Sequence, residues 1–283
     1  MTERFGARLE RAFYSSGRLC LGIDPHAYLL ESWGLPDTAA GAREFGLRCV
    51  DAATGAVGIV KPQVAFFERF GSAGYAALED VLAAARAAGL LVIGDVKRGE
   101  IGSSMAGYAS AWLTPGSPLE VDAMTLNPYL GVGTLEDAFA TADAAGKGVF
   151  VLAATSNPEA ATVQHARTRS GDTVSADVLA GVSRWNGTNG AERRVGSAGV
   201  VIGATQSLSA FGLDTETPHS PVLPVLAPGF GHQGARLEDA PSVFGRLAAG
   251  VIVSESRSIL SAGPQELASM AAHRAEEVRK CFV

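Results

Sequence analysis

The chain has 283 residues, of which 47% are apolar and 18% charged, enough to bury a large core as one α/β barrel or as two smaller domains and too apolar for disorder. The formal charge of −6 disfavours a general nucleic-acid binder, which needs a basic surface to neutralise phosphates, but leaves room for a small anionic substrate held by a few local cations. The three cysteines (Cys20, Cys49 and Cys281) lack CxxC or Cys/His spacing, which argues against a disulfide framework or a zinc site and fits reduced thiols in a cytoplasm.

The N-terminus, MTERFGARLERAF, is charged and amphipathic rather than signal-like, and no apolar stretch is long enough to span a bilayer, so a soluble protein is expected. Eight apolar β-like runs follow: Leu19–Asp24, Val57–Lys61, Leu90–Lys97, Val121–Leu126, Gly148–Ala154, Gly199–Ala204, Val222–Ala227 and Gly250–Ser254. Ala-rich segments of helical character separate most of them, among them Gly74–Gly89 and Gly133–Gly146. That alternation predicts a parallel sheet, and eight repeats predict a closed (β/α)8 TIM barrel, one domain over residues 1–283. A doubly wound open sheet is the competitor, but neither GxGxxG after the first strand nor a Walker motif is present. Polar, Gly-rich stretches at Pro158–Ser175, Ser183–Ser197 and Ser207–Pro221 read as long loops, and Pro264–Lys280 as a closing helix with Pro early and basic residues late.

Charges fall where the first three runs end: Asp24, Lys61, then Asp95 and Lys97. Period-2 alternation places Asp95 and Lys97 on one face, and the shared position at strand ends suggests a mouth lined by ions. An isolated DxK on a strand reads equally well as a structural ion pair. In a barrel, chemistry sits at the carboxyl ends of the strands and a phosphate often lies after strands seven and eight. Strand seven runs into APGFGHQGA, whose glycines let backbone approach an anion and whose Gln233 adds a donor. Strand eight runs into SESRS, where Arg257 can grip a phosphate through two nitrogens.

The motifs LGIDP (Leu21–Pro25), VKPQVAFFE (Val60–Glu68), DVKRGEI (Asp95–Ile101), NPY (Asn127–Tyr129), TSNPEA (Thr155–Ala160) and PGFGHQG (Pro228–Gly234), in this order, resemble the longer bacterial branch of the orotidine 5′-phosphate decarboxylases. The resemblance implies a homodimeric barrel that converts orotidine 5′-monophosphate to UMP and CO2 without metal or organic cofactor. It implies that Lys97 stabilises and protonates the C6 carbanion, that Asp95 lies against the departing carboxylate, and that Lys61 holds Asp95 ionised while Asp24 accepts ribose hydroxyls. Ser156 matches the serine that hydrogen-bonds the pyrimidine. Gln233 and Arg257 match the phosphate ligands, with Ser256 beside them, and Pro228 opens the loop that closes over the phosphate. One position departs: the usual DxKxxD ends here in Glu100, whose carboxylate is expected to reach the neighbouring subunit's site. Magnesium-dependent sugar-phosphate enzymes of the same superfamily, a Schiff-base aldolase and a silent nucleotide-binding barrel are the rival readings. His26 and His232 are left as loop histidines, and Trp33, Trp112 and Trp185 as packing residues.

Overall fold

A computed structural model describes residues 3–282. Eight parallel strands close on themselves in chain order: β1 (Leu19–Ile23), β2 (Ile59–Pro62), β3 (Leu91–Arg98), β4 (Ala123–Leu126), β5 (Gly148–Ala154), β6 (Ala198–Ile202), β7 (Val225–Pro228) and β8 (Val251–Glu255). Closure is sealed where Leu19 to Leu21 of β1 pair with Val253 to Glu255 of β8. The strands are buried on both faces because helices cover the outside and side chains fill the inside, which is why they read as continuous apolar runs. All eight expected strands are present, with ends displaced by up to three residues.

Inward-pointing Cys20, Ile59, Ile93, Phe150, Leu226 and Ile252 form one core inside the barrel, and a larger core lies between strands and helices. The helix Phe5–Ser16 plugs the amino-terminal end, Phe5 meeting Phe150 edge-on at 6.0 Å. Beside it Arg8 pairs with Asp122, whose second oxygen accepts the Val92 N–H at 2.8 Å, and Lys147 reaches Glu120 at 2.6 Å. Charges at this end are thus satisfied by one another, and the opposite end is left for chemistry. The closing helix runs Gly263–Cys281, and Trp33 and Trp112 are buried as packing residues.

Two of the three polar stretches differ from expectation. Most of Ser183–Ser197 belongs to a helix, Val174–Gly190, capped by the Thr173 hydroxyl accepting from the Ala176 N–H at 3.0 Å. Its weak propensity is overridden by burial of Ser175, Val178, Leu179, Val182 and Asn186, a helical stripe. Asn186 locks it to β6 by donating to the Ala198 carbonyl at 2.7 Å and accepting its N–H at 3.1 Å. Pro158–Ser175 likewise contains a short helix, Ala160–Gln164, ahead of the Thr173 cap. The stretch Ser207–Pro221 is irregular, as read.

Candidate active site

A cavity of about 850 Å³ opens at the carboxyl ends of the strands. Asp24, Lys61, Asp95, Lys97, Ser156, Pro228, Gln233, Ser256 and Arg257 all line it. Glu100 does not: it lies beyond β3 and its carboxylate accepts the N–H of Ile101 at 3.0 Å.

The charged row is built by neighbouring strands. Gly22 of β1 pairs with Lys61 of β2, and Gln63 just after β2 bridges to Asp95 of β3. Asp95 stands at the centre: Lys61 Nζ donates to Oδ2 at 3.0 Å and Lys97 Nζ to Oδ1 at 2.6 Å. Burial opposes ionisation of Asp95, but the two ammonium groups hold its carboxyl well below the usual carboxylate range. Burial likewise opposes the charge on Lys61, and Asp95 with Asp24 overcomes it, raising the lysine above its ordinary value. The adjacent Cys20 thiol is pushed up to about 12 by burial and stays a neutral filler. Asp24 is buried, and its Oδ1 has no hydrogen-bond partner among the described residues. An acceptor left open beside a cavity suits a substrate hydroxyl.

The Ser156 and the Gln233–Arg257 sides of the cavity are supported from behind. Ser156 follows β5 in a turn fastened by Gln164, whose Oε1 accepts the Thr155 N–H at 2.8 Å and whose Nε2 donates to Thr155 Oγ1 at 2.9 Å. Gln233 ends a turn after β7, and Gly231 within that turn has φ +65°. A side chain at 231 would be strained by that φ and would press on Glu255 and Ser258. Gly22 has the complementary role: a Cβ there would lie 2.6 Å from that of Ser256, so the LGIDP glycine lets the Arg257 turn approach β1. Glu255, two residues before Arg257, is engaged by Arg274 at 2.7 Å, so Arg257 is free to face the cavity.

Several lining residues were not singled out from the sequence. Thr125 reads there as an ordinary β residue, and only its place at a strand end marks it. His26 and His232 sit in loop and turn segments as read, and both also line the cavity; His26 stacks on Phe66 at 4.1 Å, and burial pushes its imidazole down. Among the described residues no group of three or more His, Cys, Asp or Glu side chains is disposed to hold a metal ion.

Residues 17–272 match the family described as "Orotidine 5'-phosphate decarboxylase / HUMPS family". The chain belongs to this family. The orotidine 5'-phosphate decarboxylase of Salinispora arenicola is 51% identical over 270 residues, 95% of this chain and 94% of its own, and that of Corynebacterium efficiens 47% over 266 residues, 93% and 92%. A crystal structure from Streptomyces avermitilis, provisionally assigned as an orotidine 5'-phosphate decarboxylase, superposes with a TM-score of 0.92 at 48% identity, covering 99% of this chain and 96% of that one. The OMP decarboxylase of Leishmania donovani follows at 0.76 and 28%, covering 98% and 99%. These decarboxylases extend the family assignment across nearly the whole chain and match the closed barrel.

Proposed function

We propose that this barrel, acting as one unit, decarboxylates orotidine 5′-monophosphate to UMP and CO2 in pyrimidine biosynthesis, with the Lys61–Asp95–Lys97 row as its reacting centre. That row is the observation that carries the mechanism: one buried carboxylate between two ammonium groups, in the same cavity as Gln233, Ser256 and Arg257. The C6–carboxylate bond breaks, its electron pair stays on C6 in the ring plane where the π-system cannot spread it, and CO2 departs. Lys97 stabilises that charge and passes a proton from Nζ to C6, after which solvent reprotonates the amine. Asp95 keeps Lys97 in place and repels the substrate carboxylate, a stress relieved as CO2 leaves. Lys61 holds Asp95 ionised, and Asp24 with its free Oδ1 accepts a ribose hydroxyl.

Ser156 contacts the pyrimidine, while Gln233, Ser256 and Arg257 take the phosphate under the loop that begins at Pro228. Binding energy from the non-reacting phosphate then serves to assemble the site around the ring. No metal or organic cofactor enters these steps.

A homodimer completes the site. Glu100 does not line its own cavity, its carboxylate accepting the Ile101 N–H instead, and the Ile101 side chain beside it is exposed, which suits contact with a second copy. Free thiols fit a cytoplasmic enzyme, and among the described residues no helix is long and apolar enough to cross a membrane.

The test is loss of orotidine 5′-monophosphate absorbance with and without EDTA. Turnover indifferent to the chelator supports the reading, chelator-sensitive turnover points to a metal-assisted relative, and tight UMP binding without turnover marks a silent binder.

A further inference from the structure

We infer that Thr125 is the positioning residue that sets the Lys97 ammonium against Asp95, by pinning a bulge in β3. The ladder between β3 and β4 pairs Ile93 with Ala123 and Gly94 with Met124, and next pairs Arg98 with Leu126. Four steps along β3 thus span two along β4, so Asp95, Val96 and Lys97 bow out of the ladder, as bulges do where a side chain is re-aimed. Within the bulge Lys97 has φ +48°, and no other non-glycine among the described residues has positive φ. A side chain pays for that conformation in steric strain, and it persists only where the surroundings over-determine it.

Thr125 supplies the determination. The Lys97 N–H, released from the ladder, donates to Thr125 Oγ1 at 2.9 Å, and that hydroxyl donates in turn to Asp95 Oδ1 at 3.0 Å. The same Oδ1 accepts Lys97 Nζ at 2.6 Å. Backbone and side-chain ends of Lys97 are therefore tied to one hydroxyl–carboxylate pair in a closed circuit. Thr125 is 1% exposed, so water does not replace its hydroxyl. Its role goes through Lys97 and Asp95 and requires no contact with substrate.

The inference rests on the decarboxylase reading for its kinetic consequence but not for its geometric one. Thr125→Val keeps the shape and removes both hydrogen bonds, whereas Thr125→Ser keeps the hydroxyl. Misplacement of the ammonium by about 1 Å costs on the order of a hundredfold, so T125V is expected to lower kcat by about 10- to 100-fold. KM and UMP affinity should stay within about twofold, and T125S should recover most of kcat. Unchanged kcat in T125V, a parallel loss of kcat and UMP affinity, or T125S as impaired as T125V would each overturn it. A crystal structure of T125V reads the geometry independently of turnover. Lys97 leaving positive φ, with Nζ drawn off Asp95, is the expected result; both retained would sink the inference even if the wild-type protein proved inert.

Discussion

Glu255 at the end of β8 and Arg274 on the closing helix meet in a two-pronged ion pair, Nη2 to Oε1 at 2.7 Å and Nε to Oε2 at 3.1 Å. The Glu255 side chain is wholly shielded, and its Oε2 also accepts the Ser258 hydroxyl at 2.7 Å. The pair neutralises a carboxylate standing just behind the Ser256–Arg257 turn, proposed above to take the phosphate, and fixes that turn to the outer helix layer. Arg274→Ala leaves the carboxylate buried and uncompensated, which should cost about 3 kcal/mol of stability in urea unfolding. UMP affinity should fall with it, because the exposed field of Glu255 then opposes the phosphate. Unaltered stability would mean that water reaches Glu255 once Arg274 is gone.

Lys97 combines a strained backbone with an ammonium held on Asp95, and two substitutions separate them. Lys97→Ala and Lys97→Gly both abolish the ammonium and should both reduce turnover by at least about 10⁴-fold, since proton delivery and charge stabilisation are lost together. They differ in the cost of φ +48°. Glycine adopts it freely, so Lys97→Gly should be more stable than Lys97→Ala by about 1 kcal/mol in thermal unfolding. Equal stabilities would show that the strand relaxes once the side chain is removed.

How much of this was readable in advance follows from which interactions are local. The strands were legible because burial on both faces makes each a continuous apolar run, and Asp24, Lys61, Asp95 and Lys97 were legible because charges end three successive runs within motifs in one order, although each alone reads as well as a structural ion or ion pair. Helix Val174–Gly190 was hidden because Gly187, Asn186 and Thr188 favour turns, and only packing against β5 and β6 decides for a helix. Thr125 and Glu255 were hidden for a different reason. Threonine is at home in any strand, and the partner that gives Glu255 meaning, Arg274, lies nineteen residues away on another layer.

The Lys61–Asp95 pair fixes how the site responds to pH. Asp95 has its acid strength increased by the two lysines against burial, so its contribution to stability is present above the unfolded value near 4 and is lost as pH falls through the lower folded value. Lys61 is raised by Asp95 and Asp24 against burial, so its contribution is present below about 10.4 and is lost as pH rises through the higher folded value. Between about pH 5 and 9 both are constant. Asp95→Asn should therefore lower the unfolding free energy by about 3 kcal/mol throughout that window, the gap from wild type narrowing below about pH 4 and again at alkaline pH as Lys61 loses its proton. A gap that varied between pH 6 and 8 would assign the coupling to a histidine such as His26.

Glu100 offers the sharpest test of a shared site. In a homodimer whose Glu100 serves the partner's cavity, each active site takes Lys97 from one subunit and Glu100 from the other. Glu100→Ala alone should depress turnover by about 10- to 100-fold without unfolding, because it displaces a positioning carboxylate rather than the proton donor. Lys97→Ala alone should be inactive. Unfolding and refolding the two variants together gives about half hybrids, each with one site that is mutant twice and one that is intact, so activity should return to about a quarter of wild type. If Glu100 instead acted within its own subunit, every hybrid site would keep one defect and the mixture would show only the sum of its parents. The half-buried, self-capping Glu100 geometry, with its carboxylate on the Ile101 N–H and outside its own cavity, favours recovery.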